Sequence, residues 1–240
     1  AALGHTLAPA RPALAPLRLP DATPLGAALR GLAGISLPAR LTLADDTAEG
    51  TARSWEDDLL FTHTGLSGPL VLGASLFWHD GQALELDFLP DRDTEALLDA
   101  GGARTPRALL RRLLPQRLLD AVLPPEPARR KCAELSRQAR RQLAAAIHAL
   151  RVTPSGIEGM DKAEACSGGV DTGEVDPRTM ESRLIPGLHI VGEMLDVTGR
   201  LGGYNLHWAW ASGIRAGRSV LAGTEGRLTS RKTASPRTAR

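Results

Sequence analysis

The sequence predicts an α/β chain in which a small barrel-like set of strands and a helical region are inserted into a strand–loop–helix unit. Three observations support this fold class. Residues 186–217 join a short apolar run to a polar loop and then to a glycine-rich turn that opens a helix. Residues 18–92 hold several short apolar stretches split by Gly, Pro and Asp, which is typical of a small barrel or curled sheet. Residues 93–152 carry apolar side chains at helical spacing.

The first elements are short and extended. Three prolines within residues 1–17 favour extended backbone and exclude a helix, so this segment is predicted to connect two domains. A short helix follows, because Thr23 and Pro24 supply an N-cap and a first helical position. Gly31 ends that helix early.

Strands dominate the region that follows. Residues 32–43 and 57–62 are candidate strands, and residues 82–89 give the clearest signal because apolar and acidic side chains alternate there. Between them lies the segment FTHTGLSGP, residues 61–69, which runs into a helix that Ser67 can cap.

Residues 93–152 are predicted to be helical. The first helix, residues 93–100, ends at the glycine pair that follows it. Thr105 and Pro106 start a second helix, which continues until the prolines that begin at Pro124. A third helix covers residues 135–150, and its apolar stripe is interpreted as core.

Positive charge is concentrated in residues 104–151, although the whole chain has a net charge of only +2. This segment has eleven arginines and one lysine against three acidic residues, a local excess of nine positive charges. A basic helical face can bind RNA phosphates through non-specific electrostatics. No aromatic residue is interleaved for base stacking, however, so a solvated face that reflects an arginine-rich composition is the favoured interpretation, with RNA binding as the alternative.

Composition excludes several functional classes. Cys132 and Cys166 lack metal-ligand spacing, which predicts a reducing, cytoplasmic compartment rather than a disulfide scaffold. No apolar run is long enough to span a bilayer, so no membrane partner is expected. The six histidines are scattered, so no metal site is predicted, and no Ser-His-Asp or phosphate-binding GxxxxGK motif occurs. Chemistry must therefore come from a cofactor, and the oligomeric state stays open.

From residue 153 the chain is predicted to return to its first domain, which continues to residue 222. A strand at residues 188–191 leads into a polar and glycine-rich loop, and the residues of interest in that loop are Gly192, Glu193, Asp196, Gly199, Gly202 and Gly203. Such a loop before a helix offers free backbone N–H groups and lets a ligand approach closely. A carboxylate at Glu193 suits hydrogen bonds from the hydroxyl groups of a sugar or polyol. The tail, residues 223–240, is predicted to be disordered.

Together with three further blocks, this loop resembles the HI0933-like flavoproteins, a family of two-domain FAD oxidoreductases that includes aminoacetone-oxidase-like and bile-acid-reductase-like proteins. The blocks are CSGGVDTGEVDPRTMESRLIPGL (residues 166–188), FTHTGLSGP (residues 61–69) and GHTLAPARPALAPL (residues 4–17). They occur in the family's order and cover most of the chain.

The chain also departs from the family pattern. Cys166 and Ser167 stand where the family tends to have Thr and Ala, and Thr198 and Arg200 are unusual in the glycine loop. The family's N-terminal half, with GxGxxG and a second glycine-rich FAD loop, is not in this sequence. The resemblance therefore implies a fragment, which by itself is expected to bind FAD weakly and to aggregate.

The resemblance implies a partial Rossmann-like FAD-binding domain with an inserted barrel (residues 18–92) and helical subdomain (residues 93–152). The residues implied in FAD binding are Gly168, Gly169, Val170, Gly192, Glu193, Asp196, Gly202, Gly203, Tyr204 and Asn205. Glu193 would bind ribityl or ribose-side hydroxyls, and the Gly202 and Gly203 amides would face the pyrimidine edge of the flavin. Asp196 has a second possible role, a hydrogen bond to the glycine loop.

The residue His63 has two interpretations. The resemblance places it near the flavin on the substrate side, whereas the favoured interpretation is a histidine that satisfies a backbone carbonyl beside a capped helix. No catalytic residue is identified from the sequence.

The activity implied is hydride transfer through flavin N5 between NAD(P)H and an unsaturated or amine small-molecule substrate. Two alternatives stay open. One is flavin-dependent reduction of a base in RNA, suggested by the basic helices, and the other is a non-catalytic remnant that holds no flavin.

Overall fold

The computed structural model describes residues 3–43 and 52–233, and it describes side chains as far as residue 222. Residues 1–2 of the predicted connector, residues 44–51 of the predicted barrel region and the last seven residues of the predicted tail lie outside this description. The chain divides into two compact units, which are here named the terminal unit (Ala1–Arg11 with Ala165–Arg240) and the inserted unit (Pro12–Glu164).

The secondary-structure elements alternate between short strands and short helices until a long final helix. In chain order they are β1 (Leu7–Ala13), β2 (Leu17–Arg18), α1 (Pro24–Arg30), β3 (Ser36–Leu43), β4 (Arg53–Phe61), β5 (Gly65–Ser67), α2 (Gly68–Ser75), β6 (Leu84–Asp87), α3 (Thr94–Asp99), α4 (Pro106–Leu110), α5 (Gln116–Val122), α6 (Pro125–Arg129), α7 (Arg137–His148), β7 (Leu150–Val152), β8 (Gly156–Ile157), β9 (Ala165–Val170) and α8 (Tyr204–Thr233).

Within the described part of the inserted unit, seven strands form one antiparallel sheet in the order β7-β6-β3-β4-β5-β2-β8. The strand β3 connects its halves, because Leu41 pairs with Trp55 of β4 on one side and with Leu86 of β6 on the other. Burial alternates along β3, as expected for a strand with one face on the core. Leu41 and Leu86 are fully buried, so the centre of this sheet carries the main hydrophobic core.

Local capping explains where several helices of the inserted unit begin. The Thr23 hydroxyl accepts a hydrogen bond from the Gly26 N–H at 3.1 Å, and α1 ends before Gly31, as the sequence predicts. The helix α2 begins at Gly68 with Ser67 at the N-cap position, although the Ser67 side chain makes no capping hydrogen bond.

Two helix predictions in this unit are wrong in detail. A single helix was expected from Thr105 to Pro124, whereas the structure has α4 and α5 with Pro115 at the N-cap of α5. Proline has no N–H to donate, so it interrupts the helical hydrogen-bond ladder. The third helix stops at His148, because Leu150 belongs to β7 and pairs with Leu86.

The terminal unit contains β1 and β9, which form a two-stranded sheet, and a second core cluster centred on Ile190 and Leu195. The strand predicted at residues 188–191 is not formed. Its backbone instead bonds to the preceding turn, because Ser182 N–H donates to the Leu188 carbonyl at 2.7 Å and Ile190 N–H donates to the Met180 carbonyl at 2.9 Å. The mixed α/β class with an antiparallel sheet is confirmed, and the Rossmann-like sheet stays a prediction.

The final helix differs from expectation in length. The helix α8 begins at Tyr204, directly after the glycine-rich turn, as predicted. Its backbone remains helical to Thr233, whereas the sequence predicts disorder from residue 223. Residues 234–240 lie outside the described range.

The apolar side chains of α8 are divided between two faces. Ala216 is buried and Trp208 packs against the second core cluster. Leu206, Trp210 and Ile214, which share the opposite face, are 69%, 74% and 52% exposed. Among the described residues, no helix combines the length and apolarity needed to cross a membrane.

Candidate functional site

Two segments of the terminal unit that carry the predicted cofactor residues lie side by side. Val170 at the end of β9 forms a parallel bridge with Leu195, and the Asp196 N–H donates to the Val170 carbonyl at 2.9 Å. The Asp196 carboxylate Oδ1 accepts a hydrogen bond from the Gly168 N–H at 3.1 Å. The Asp196 side chain therefore binds the glycine pair of β9, and not the glycine loop at residues 199–203.

The glycine pair of β9 is required by close approach of the protein's own backbone. Gly168 has φ of +88°, and a Cβ added there would lie 2.3 Å from the Pro9 carbonyl oxygen. A Cβ at Gly169 would lie 2.6 Å from the Met194 carbonyl oxygen. These glycines let three chain segments meet, because no larger residue fits. Contact between Gly168 or Gly169 and a flavin stays a prediction.

The glycine loop, residues 199–203, is fixed to α8 by Asn205. The Asn205 side-chain Oδ1 accepts from the Gly199 N–H at 2.6 Å, and its Nδ2 donates to the Gly199 carbonyl at 3.3 Å. The Asn205 side chain is only 9% exposed. One buried side chain in the first turn of α8 thus holds both backbone polar groups at the start of the loop.

The short turn at Gly192–Met194 is tied to α8 by both backbone groups of Gly192. The Gly192 N–H donates to the Ser212 hydroxyl at 2.9 Å, and the Gly192 carbonyl accepts from the Trp208 indole N–H at 3.1 Å. Ser212 is 2% exposed and donates to the Trp208 carbonyl at 2.7 Å. Sequence reasoning missed both side chains, because a serine or tryptophan inside a helix carries no signal of a partner some 20 positions away.

Several polar groups of the Gly192 turn, the glycine loop and the start of α8 stay open. The Glu193 side chain is exposed and has no hydrogen-bond or ion-pair partner among the described residues. Added Cβ atoms at Gly203 would meet nothing within 4 Å, and at Gly202 only the edge of the Tyr204 ring at 3.6 Å. Tyr204 itself is 62% exposed at the start of α8, where the first-turn N–H groups lack intrahelical acceptors.

This surface has the chemistry that the polar half of a flavin requires. A free carboxylate can accept hydrogen bonds from polyol hydroxyls, and open glycine and helix N-terminal N–H groups can face an electron-rich ring edge. The residues present therefore fit the group at Glu193, Gly202, Gly203 and Tyr204. The remaining predicted residues hold the backbone of these segments through hydrogen bonds within the protein, namely Val170, Gly192, Asp196 and Asn205. Their contacts to a cofactor stay predictions.

The residue His63 lies in the inserted unit, on the turn between β4 and β5. The turn is held by the Thr62 N–H, which donates to the Gly65 carbonyl at 2.8 Å, and by the Gly65 N–H, which donates to the Thr62 hydroxyl at 3.0 Å. The His63 side chain is exposed and bonds to no carbonyl within the described ranges. Its substrate-side role stays a prediction.

A hydrogen-bonded triad that the sequence does not indicate lies in the inserted unit. The His148 Nδ1 is 2.8 Å from Asp87 Oδ1, and its Nε2 is 2.7 Å from the Thr94 hydroxyl. The order of groups resembles that of a hydrolytic triad, but Thr94 is 1% exposed, so its hydroxyl cannot reach a substrate. The triad instead ties together β6, α3 and α7.

The acidic turn before the glycine loop is also held by local bonds. Asp176 Oδ1 accepts from the Arg178 N–H at 2.8 Å, and this hydrogen bond holds the pKa of the Asp176 carboxyl below its usual value. The Asp176 N–H donates to the Glu181 carbonyl at 2.9 Å. The Asp176 carboxylate therefore has a structural role in this turn.

The fold and site define a class: a two-unit α/β protein in which an antiparallel sheet with helices is inserted between β1 and β9, and in which the terminal unit presents an open glycine and carboxylate surface. A family model described as the HI0933-like protein barrel and H2TH domain matches residues 11–165. The chain belongs to the HI0933-like family, which confirms the resemblance seen in its motifs.

Three curated relatives are similar to most of this chain. A ribosomal RNA dihydrouridine synthase of Escherichia coli (strain K12) is 37% identical over 227 residues, covering 91% of this chain and 54% of the relative. A ribosomal RNA dihydrouridine synthase of Haemophilus influenzae is 38% identical over 197 residues, covering 80% and 48%. A 3-dehydro-bile acid delta(4,6)-reductase of Clostridium scindens is 35% identical over 237 residues, covering 91% and 55%. The chain spans about half the length of these relatives.

These relatives correct the substrate expected from the sequence. Hydride transfer to an unsaturated or amine small molecule was the main prediction, with reduction of an RNA base as its alternative. Two relatives, at 37% and 38% identity, are named for a reaction on ribosomal RNA, so the main prediction is wrong and the alternative is favoured. The interpretation of the basic segment as a solvated face depended on its lack of aromatic residues, although contacts to phosphates need no aromatic side chain.

Proposed function

We propose that this protein takes part in the flavin-dependent reduction of a uridine in ribosomal RNA to 5,6-dihydrouridine. The observation that carries this proposal is the similarity to two ribosomal RNA dihydrouridine synthases, which extends over 91% and 80% of this chain and includes both of its units. The open surface at Glu193 and the glycine loop supports a flavin as the cofactor.

The chain's own residues would hold the polar side of the flavin. The Glu193 carboxylate accepts hydrogen bonds from the polyol hydroxyls, because it is exposed and free of protein partners among the described residues. The Gly202 and Gly203 N–H groups, together with the first turn of α8, face the pyrimidine edge and stabilise negative charge there. When bound, the flavin supplies the hydride.

The reaction on the base requires one hydride and one proton. The uracil C5=C6 bond is conjugated with the C4 carbonyl, so C6 accepts the hydride and C5 then takes a proton, while NAD(P)H provides the two electrons. Asn205 and Ser212 have a positioning role, because they fix the glycine loop and the Gly192 turn that carry the cofactor-facing groups.

Deletion of the gene in its host tests this proposal. Loss of one dihydrouridine from ribosomal RNA is expected, mapped by mass spectrometry of nuclease fragments and by the reverse-transcription stop that alkali-opened dihydrouridine causes. Expression of the wild-type gene from a plasmid should restore the modification, and a gene that encodes Glu193→Ala should restore less of it.

The matched control is Glu164→Ala, which removes one exposed carboxylate from the other unit and should restore the modification fully. A deletion strain whose ribosomal RNA keeps every dihydrouridine would overturn the proposal.

A further inference from the structure

Several arginines of the inserted unit are already occupied by protein partners. Arg107 is paired with Asp120, and Arg140 is paired with Asp99. The Arg117 guanidinium donates to the Gly31 carbonyl. The ion pairs partly neutralise the charges of Arg107 and Arg140, and Arg117 already uses a guanidinium N–H for the protein. These three arginines are therefore less available to bind an external anion.

Other arginines have acidic neighbours from a different helix. Arg137 and Arg141 project from α7 into shallow depressions that they share with Asp93 and Glu95 of α3 and its N-cap. Acidic side chains therefore lie near Arg137 and Arg141, although neither arginine forms an ion pair among the described residues.

A third group of cationic side chains is exposed to solvent and lies between two buried residues of the same segment. Arg129, Arg130 and Lys131 are consecutive and exposed, at the end of α6 and directly after it. The residues on either side are buried, with Ala128 at 0% and Cys132 at 1% exposure. The backbone that carries these three cations is thus fixed to the core, which lowers the entropy lost when they bind a ligand.

Arg104 lies beside the same three residues. The Cys132 N–H donates to the Arg104 carbonyl at 2.8 Å, and the Ala133 N–H donates to the Gly102 carbonyl at 2.9 Å. These bonds join the loop before α4 to the segment that follows α6. The Arg104 side chain is exposed, and its Nε donates to the Gly101 carbonyl at 3.3 Å, while its two terminal nitrogens form no bond among the described residues. The basic edge is defined here as Arg104, Arg129, Arg130 and Lys131.

The acidic side chains near the basic edge do not neutralise its positive charge. Glu134 is 4.0 Å from the Lys131 ammonium, a long contact between two exposed side chains. Glu126 lies about one turn earlier on α6 and forms no ion pair among the described residues. Asp99, whose helix contacts this segment, is already paired with Arg140. The four cations of the basic edge thus outnumber the two acids that remain near them.

We propose that the basic edge is the surface on which the ribosomal RNA backbone docks to the inserted unit, an inference that rests on the proposed function for the kind of nucleic acid. Guanidinium groups match phosphate oxygens in a two-pronged geometry. No aromatic side chain belongs to the basic edge, so it offers no platform for base stacking, and its cations suit contacts to phosphates. Its role is to position the RNA without reading its sequence.

The test compares two double variants that remove equal charge from the same unit. Arg129→Gln with Arg130→Gln removes two phosphate contacts from the basic edge, whereas Arg137→Gln with Arg141→Gln removes two arginines that line depressions with Asp93 and Glu95. Each purified protein is titrated with deproteinised ribosomal RNA at several salt concentrations, and circular dichroism checks that each is folded.

Each phosphate contact contributes a slope of roughly 0.7 to 0.9 in log affinity against log salt. Loss of two contacts should therefore weaken RNA binding about 25- to 60-fold at about 0.1 M salt, relative to about 1 M salt where the electrostatic contribution vanishes. The salt slope itself should fall by about 1.5. The control pair should change both quantities by much less. If the first pair is not folded, Arg104→Gln with Lys131→Gln provides an independent test of the same surface.

Equal losses in the two pairs, or no loss in the first, would overturn the basic edge. Binding is measured without reference to the reaction, so this result is separable from failure of the proposed function. Dihydrouridine that persists in the deletion strain would refute the activity, whereas dihydrouridine that is lost on deletion but formed normally by a binding-competent Arg129→Gln, Arg130→Gln variant would refute only the docking surface.

Discussion

Replacing Asn205 by Ala tests whether one buried side chain keeps the glycine loop in its cofactor-ready form. The substitution removes two hydrogen bonds to Gly199, at 2.6 and 3.3 Å. Each such bond contributes roughly 0.5–1.5 kcal/mol, so opening of the loop should become about 1–3 kcal/mol easier. That range corresponds to about a 5- to 150-fold change in the opening equilibrium.

Hydrogen exchange followed by mass spectrometry measures this opening directly. The Gly199 amide, which donates to Asn205 in the wild type, should exchange faster in Asn205→Ala by the same factor. Asn205→Asp should also speed exchange, because an oxygen still accepts from the Gly199 N–H but a buried carboxylate oxygen then faces the Gly199 carbonyl. Flavin affinity should fall in both variants.

The control is Arg200→Ala, which removes an exposed side chain that has no partner among the described residues of the same loop. Its Gly199 amide should exchange as in the wild type. Unchanged exchange at Gly199 in Asn205→Ala would refute the positioning role, since the loop would then keep its shape without the two hydrogen bonds.

Two further predictions concern cofactor affinity and backbone packing. Glu193→Ala should weaken flavin binding, measured by fluorescence titration, by about 1.5–3 kcal/mol because the hydrogen bonds that the carboxylate accepts from hydroxyl groups are lost, while Glu164→Ala should leave it unchanged. Equal affinities in both variants would exclude the role of Glu193. Gly168→Ala should lower the free energy of unfolding by more than Gly187→Ala. Both glycines have φ above +80°, which strains an alanine by about 1–2 kcal/mol. Only the alanine at position 168 would also place its Cβ 2.3 Å from the Pro9 carbonyl oxygen. Similar denaturant midpoints would contradict the clash.

Local signals predicted the parts of the fold that depend on neighbouring residues. The Thr23 cap, the start of α8 after Gly203 and the alternating strand β6 all follow from short stretches of sequence. The predictions failed where a residue distant in the sequence determines the secondary structure. Residues 188–191 have the composition of a strand, yet they bond to the preceding turn, and Leu150 leaves its helical pattern to pair with Leu86.

The candidate site shows the same division. Glycines and carboxylates could be identified from their spacing, because their conformational freedom and charge are properties of single residues. Which carboxylate is bonded to the protein could not be predicted, since Asp196 and Glu193 are both exposed and only Asp196 accepts from the Gly168 N–H. The substrate was misjudged because the lack of aromatic residues was held against RNA binding. Charge counted along the chain also does not reveal that Arg140 is paired with Asp99, whereas Arg129 forms no ion pair among the described residues.

The way in which the inserted unit joins the chain affects how such proteins can diversify. Its two ends are adjacent, because the Glu164 N–H donates to the Leu14 carbonyl at 3.2 Å, and the strands β1 and β9 that flank it are paired with each other. The inserted unit, which has more than a hundred residues, therefore takes the place that a hairpin turn between β1 and β9 would have. Lengthening such a closed loop costs little entropy. The insert can therefore vary in length and sequence while the pairing of β1 with β9 is kept.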